Sequence, residues 1–261
     1  MLLRAGEKAG NHLLMICRLG LMQKVDSSTL SNSTYNISPG VNTMILGFAG
    51  KAATGKTTAA KHVAPLINKE CKIIPMAMVL RDEVEAFLRA IGAEESVPLV
   101  YGCQDDKVRV FYVDEQKALA QCPKWSHFIS EHQEIQDRPG RTAVTVRRLL
   151  QWWGTEYRRS EDPDYWTKAW GRKVSSFDLD TMHVLVDDVR FINELNVIKE
   201  YGGLIVKIER PGFDGANNHA SETSLDDYEA WDGKILNDGT LEAFKAEAET
   251  LVGALLRGEL S

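Results

Sequence analysis

Gly50-Lys51-Ala52-Ala53-Thr54-Gly55-Lys56-Thr57 fills every position of G-x-x-x-x-G-K-[ST], and the chemistry served by that spacing is phosphate binding. Gly50 and Gly55 let the backbone wrap so that successive N–H groups converge on phosphate oxygens. The positive end of the helix that follows reinforces them. Gly50, Ala53, Thr54, Gly55, Lys56, Thr57 and Thr58 are therefore the expected nucleotide-binding residues. Lys56 is expected at the β- and γ-phosphates as a catalytic charge, and the Thr57 hydroxyl as a ligand of Mg²⁺. No N-K-x-D motif for reading guanine occurs, which favours ATP.

Three further segments carry side chains that could hold a phosphorylated acceptor. The first runs Arg147-Arg148-Leu149-Leu150-Gln151-Trp152-Trp153-Gly154-Thr155-Glu156-Tyr157-Arg158-Arg159, and the second is Asp162-Pro163-Asp164-Tyr165-Trp166. The third, Leu185-Val186-Asp187-Asp188-Val189-Arg190-Phe191-Ile192-Asn193-Glu194, opens with a strand whose C-terminal end carries the carboxylates. Arg81, Arg148 and Arg190 are fork-shaped cations suited to bidentate phosphate contacts. Gln151 can donate and accept at a base edge, and Trp166 offers a flat face for a base. Trp152 and Trp153 suit core packing better than base stacking.

In their order and spacing these segments resemble the deoxynucleoside monophosphate kinases encoded by bacteriophages. That family has a P-loop core and a helix reading R-x-L-[LM]-Q-x-x-G-T. An Asp-x-Trp element follows, then a strand ending in D-x-R with a Glu four residues beyond the Arg. Glu209-Arg210-Pro211, Ser221-Glu222 and Asn237-Asp238-Gly239 continue the likeness, which spans residues 44–256 apart from much of 94–147. Family loops often carry basic residues where this chain has Ala52 and Ala53, and some carry Asp where it has Thr57.

The resemblance implies phosphorylation of deoxynucleoside monophosphates with ATP and Mg²⁺. It places the acceptor against Arg81, Arg148, Gln151, Gly154, Thr155, Trp166, Asp188, Arg190 and Glu194. It also implies a short lid, residues 155–165, whose Arg158 and Arg159 act with Lys56 and Arg190 on the transferred phosphoryl group. Animal-type phosphomevalonate kinases are similar too, but such an acceptor offers no base for Gln151 and Trp166. A regulatory nucleotide binder without catalysis would have no use for the cluster of Arg148, Arg158, Arg159 and Arg190.

Positioning these residues requires alternating strands and helices. Residues 44–49 read as a buried parallel strand before the phosphate loop, with further strands at 71–76, 183–186, 204–208 and a short one at 234–236. Helices are expected at 57–67, bent near Pro65, then 79–91, 144–153, 165–174, 191–200 and 241–257. The expectation is an α/β three-layer fold of the P-loop NTP hydrolase type. It has a mostly parallel five-stranded sheet with helices on both faces, and a kinase domain at 44–261. Residues 92–147, polar and dotted with aromatics, read as an acceptor-binding insertion on one edge of the core. Residues 1–43, rich in Ser, Asn and Thr at 27–43, read as a loosely packed or disordered extension.

The 261 residues carry a net charge of −6, which argues against a polynucleotide-coating surface. Cys17, Cys71, Cys103 and Cys122 show no metal-binding or disulfide spacing and read as reduced thiols of a cytoplasmic protein, in the host cytoplasm if phage-encoded. No apolar run is long enough to span a membrane, and Arg18 interrupts the stretch that most resembles a signal. The expected partners are small nucleotides, with a homodimer allowed, and neither nucleic acid nor membrane.

Overall fold

The computed structural model describes residues 44–67, 70–131, 138–213 and 219–259. The extension expected at 1–43 lies outside the described residues. Five strands form one sheet in the order β2 (Glu70–Ile73), β5 (Met182–Val189), β1 (Ile45–Ala49), β6 (Leu204–Glu209) and β7 (Gly233–Leu236), and every neighbouring pair is parallel. β1 is central and buried along its whole length, which explains its continuous apolar sequence. Its side chains alternate between two cores. Leu46 and Phe48 pack with α1 (Lys56–Val63) and α10 (Leu241–Leu256), whereas Ile45 and Ala49 share a cluster with α7 (Tyr165–Val174) and α8 (Ile192–Glu200).

From β1 the chain crosses to β2, two places away, and returns to fill the gap with β5; β6 and β7 then extend the other side. The end of β1 is therefore a topological switch point, where parallel sheets of this kind open a crevice for ligands. The phosphate loop leaves β1 at that point. Asp187 and Asp188 end the neighbouring strand, beside a break in register between Gly47 and Ala49.

The region 92–147 differs from its sequence reading. It contains α3 (Val97–Tyr101), α4 (Glu115–Gln121) and α5 (Trp125–Glu131). β3 (Val110–Asp114) and β4 (Arg141–Thr145) pair antiparallel as a second sheet. Trp125 and Phe128 stack at 4.3 Å in a third core with Phe87 of α2 (Met78–Ala90) and with Trp152 and Trp153, so the two tryptophans pack as expected. The helix expected from residue 144 starts at Val146, because Thr142, Ala143 and Val144 belong to β4. Thr145 closes the start of α6 (Val146–Trp152), its hydroxyl accepting from Arg148 N at 3.3 Å.

Among the described residues no helix is long and apolar enough to cross a membrane. Cys71, Cys103 and Cys122 are free thiols.

Candidate active site

The phosphate loop takes a backbone path that few residues tolerate. Gly50 has φ 141°, Ala53 φ 62° and Gly55 φ 113°. A Cβ on Gly50 would lie 2.3 Å from the Ile208 carbonyl oxygen, and one on Gly55 would lie 2.8 Å from the Phe244 ring. Both glycines are thus required by conformation and by close approach. Asn237 Nδ2 donates to Thr54 O at 2.8 Å, so the segment before α10 holds the loop from outside.

Lys56 is buried, and its Nζ donates to Gly50 O and Lys51 O, both at 2.6 Å. Burial, with the Arg190 guanidinium nearby, pulls its ammonium down from 10.5 to about 7, against the opposing pull of Glu222, Asp188 and Asp187. Thr57 and Thr58 lie exposed in the first turn of α1.

A cleft opens beside the loop, and Ala52 forms part of its wall. Glu222, on the short α9 (Ala220–Thr223), accepts from Ala52 N at 2.7 Å and pairs with Arg190, whose Nη1 also donates to Ser221 O at 3.3 Å. This buried carboxylate links the phosphate loop to an arginine of the cleft. In the sequence it appears only as part of a matching tail.

Asp188 accepts from Met76 N at 2.7 Å and Ala77 N at 3.1 Å, and faces Arg81 at 3.7 Å. Its carboxyl is raised, first by burial and then by Asp187. Asp187 is buried too, and its Oδ1 has no hydrogen-bond partner among the described residues.

The segment expected as a lid at 155–165 is helical at its start. α6 runs straight into a π-helical stretch, Trp153–Arg159. In a π-helix the bonds run i→i+5, giving a wider turn than the α-helix. Arg147, Gln151, Thr155 and Arg159, each four residues from the last, all line the cleft. Two expected residues fall off this stripe. Arg148 is not among the cleft-lining residues, and Arg147 takes the inward place. Arg158 also lies outside the lining: its Nε donates to Glu83 Oε2 at 2.9 Å, and its guanidinium covers the Tyr157 and Tyr165 rings.

Glu83 of α2 serves as a hub. It also accepts from Trp153 Nε1 at 2.9 Å and from the Tyr165 hydroxyl at 2.5 Å, binding the π-helix to α7.

Arg159 lies in the cleft wall, where its Nη2 donates to Glu194 Oε1 at 2.5 Å and its plane covers the Phe191 ring at 3.9 Å. Glu194 also accepts from Arg190 N at 2.8 Å and Phe191 N at 3.2 Å. Burial drives its carboxyl up to about 7 in spite of Arg159 and those N–H groups.

Gln151, Gly154, Thr155, Trp166, Arg81, Asp188, Arg190 and Glu194 all line the cleft. The Gln151 side chain makes no hydrogen bond among the described residues, so its amide is available to a ligand. Trp166 is different. Only 3 % of it is exposed and its Nε1 donates to Gly154 O at 2.8 Å, so it forms the floor and leaves little open face for a base. Gly154 allows the floor to close: a Cβ there would come within 3.2 Å of Leu80 Cδ2.

The insertion supplies Gln104 and Lys107 to the same cleft, and neither was singled out by its sequence context. Both lie in the polar, aromatic-dotted stretch whose sequence reads only as an insertion.

The family described as deoxynucleotide monophosphate kinase matches residues 74–248, about two thirds of the chain and all of the cleft except its phosphate-loop wall. A protein of Acanthamoeba polyphaga mimivirus, provisionally described as a deoxynucleotide monophosphate kinase, is 41 % identical over 64 residues, covering 24 % of this chain and 33 % of that protein. The deoxynucleotide monophosphate kinase of Escherichia phage RB69 is 27 % identical over 110 residues, covering 41 % of this chain and 45 % of the phage protein. The chain thus spans less than half the length of these curated relatives in each match.

Proposed function

The chain belongs to the deoxynucleotide monophosphate kinase family, and from that premise we propose that it transfers the γ-phosphoryl group of ATP to the phosphate of a deoxynucleoside monophosphate. The observation that carries this reading is the single cleft in which a phosphate-loop residue, Ala52, meets an unengaged amide, Gln151, and a ring of cations. ATP would lie along the loop with its β- and γ-phosphates at Lys56, and the acceptor in the cleft. An oxygen of the acceptor phosphate attacks the γ-phosphorus as the bond to the β-phosphate oxygen breaks, and ADP leaves.

Such a transfer needs alignment and charge stabilisation more than a base. Arg190 and Arg159 stand at the cleft wall for that purpose. Arg158, held by Glu83, supports the helix instead.

Among the described residues no cluster of three or more His, Cys, Asp or Glu could hold a metal ion unaided. The orphaned Oδ1 of Asp187 and the exposed Thr57 hydroxyl fit a Mg²⁺ that arrives with the nucleotide. Thr57 and Asp187 would hold that ion, which neutralises charge on the β- and γ-oxygens.

A coupled ADP-release assay with dAMP, dCMP, dGMP, dTMP and phosphomevalonate tests the reading. Turnover with at least one nucleotide and none with phosphomevalonate is expected; turnover of phosphomevalonate alone overturns it. Gln151→Ala should raise the acceptor KM by about ten- to a hundredfold, because losing a base-edge hydrogen-bond pair costs about 1–3 kcal/mol. It should also alter the ranking of the four nucleotides. An equal effect on all four would make Gln151 a structural residue.

ATP binding should take up protons at pH 8. The Lys56 ammonium is held at about 7 in the free protein, so it is mostly neutral at pH 8. A polyphosphate beside it raises that value, and the proton must come from solvent. Calorimetric titrations in two buffers of different ionisation enthalpy should give an uptake approaching one proton per ATP, absent in Lys56→Met. An uptake that survives in Lys56→Met assigns the proton elsewhere.

A further inference from the structure

The cations of the cleft divide into two groups. Arg81 faces Asp188 at 3.7 Å, Arg159 is bound to Glu194 at 2.5 Å and Arg190 is paired with Glu222. Lys107 and Arg147 have no carboxylate within 4.0 Å among the described residues, although both line the same cavity. Arg147 comes from α6 and donates through Nη2 to Gln104 Oε1 at 2.5 Å. Lys107 comes from the insertion, on a short helical turn, Asp106–Val108. Asp106 pins that turn by accepting from Cys103 N at 2.9 Å, and Lys107 N donates to Cys103 O at 3.2 Å.

Lys107 is half-buried, and its ammonium is lowered first by burial and then by Arg81, Arg190 and Arg147. Asp188 opposes that shift without cancelling it, and a cation with no carboxylate in contact, half-removed from water beside three others, is costly. A protein tolerates that cost where a ligand of opposite charge relieves it. The ligand chemistry that matches a lysine and an arginine fork is a phosphate dianion.

We propose that Lys107 and Arg147 bind the phosphate of the acceptor nucleotide, with Gln104 holding the Arg147 guanidinium in place. This rests on the reading of the cleft as the acceptor site and adds to it Lys107, with Arg147 in the place expected of Arg148. The insertion is thereby part of the binding machinery: the turn at 106–108 contributes a charge to the cleft.

The test uses the full chain with Lys107→Met and Arg147→Met, which keep an apolar stem and remove the charge. Calorimetry would measure binding of the four deoxynucleoside monophosphates, of the corresponding deoxynucleosides, and of ATP, alongside thermal melting without ligand. Each variant should weaken monophosphate binding by about ten- to a hundredfold, the range for hydrogen bonds to a charged group. Affinity for deoxynucleosides and for ATP should stay within about twofold, since neither presents an acceptor phosphate to these residues. The melting temperature should hold or rise, because an uncompensated charge has been removed, and Lys107→Arg should recover most of the affinity.

Unchanged monophosphate binding in a folded variant overturns the proposal, as does a loss confined to ATP. A lowered melting temperature with unchanged monophosphate affinity shows a structural role and also overturns it. If the unaltered protein binds no deoxynucleoside monophosphate, the acceptor reading itself fails, a result separable from failure at these two residues.

Discussion

Replacing Lys56 with Ala should leave a folded protein whose phosphoryl transfer is slower by about 10³-fold, or roughly 4 kcal/mol of transition-state stabilisation. The fold should survive because Lys56 contributes little to it. Its ammonium donates to two loop carbonyls, Gly50 O and Lys51 O, and has no carboxylate within 4.0 Å among the described residues. Burial already opposes its charge, as the fall to about 7 shows, so removing the side chain removes a desolvation cost together with those two bonds. Transfer should slow, because charge building on the β–γ bridging oxygen would lose the cation that the proposed reading assigns to it. Single-turnover kinetics with circular dichroism on the same sample separate the two effects. Near-normal turnover in a folded variant would remove the phosphate loop from the mechanism.

The second large effect concerns stability. Glu194→Ala should cost about 3–5 kcal/mol and lower the melting temperature by roughly 10 °C. Glu194 is 4 % exposed and receives three donors: Arg159 Nη2, Arg190 N and Phe191 N. Its removal strands a guanidinium that is itself largely buried, and leaves two backbone N–H groups at the start of α8 without their acceptor. The paired change Arg159→Met with Glu194→Leu should recover much of the loss, since no uncompensated charge remains. Urea denaturation of the two single variants and the double variant gives the coupling energy directly. A Glu194→Ala protein melting within a degree of the original would mean that water reaches Arg159 freely. Acceptor binding should weaken in all three variants, because both residues line the cleft.

Much of the architecture was legible in the sequence because its signals are local. The phosphate-loop octet names its own chemistry, and the all-apolar run at 45–49 can be buried only on both faces. Helices at 78–90, 165–174, 192–200 and 241–256 follow their apolar periodicity to within a residue or so of expectation. β5 was read short, at four residues of its eight, because Asp187 and Asp188 resemble a turn when their sheet partners are unknown.

The insertion was illegible for a different reason. Its strands pair with each other, and its tryptophan, besides stacking on Phe128, is buried against Phe87 of α2 and Trp152 of α6, which lie far away in sequence.

What the sequence determined by itself is the phosphate-loop motif, the parallel sheet that presents it, and most side-chain types that line the cleft. Which arginines face that cleft was decided by the tertiary structure. Arg158 and Arg159 are adjacent and nothing local distinguishes them, whereas the R-x-L-[LM]-Q spacing points to Arg147 and not to its neighbour Arg148. A stripe of every fourth residue, begun in α6 and continued through the π-helical stretch, takes Arg147 and Arg159 inward, while Glu83, seventy-five positions before Arg158, draws Arg158 away. Glu222 and Lys107 likewise acquire their places from chain segments far from the motifs they serve. Backbone conformation and apolar burial are encoded over a few residues, whereas a charge in a cleft takes its meaning from counter-charges that only folding brings near.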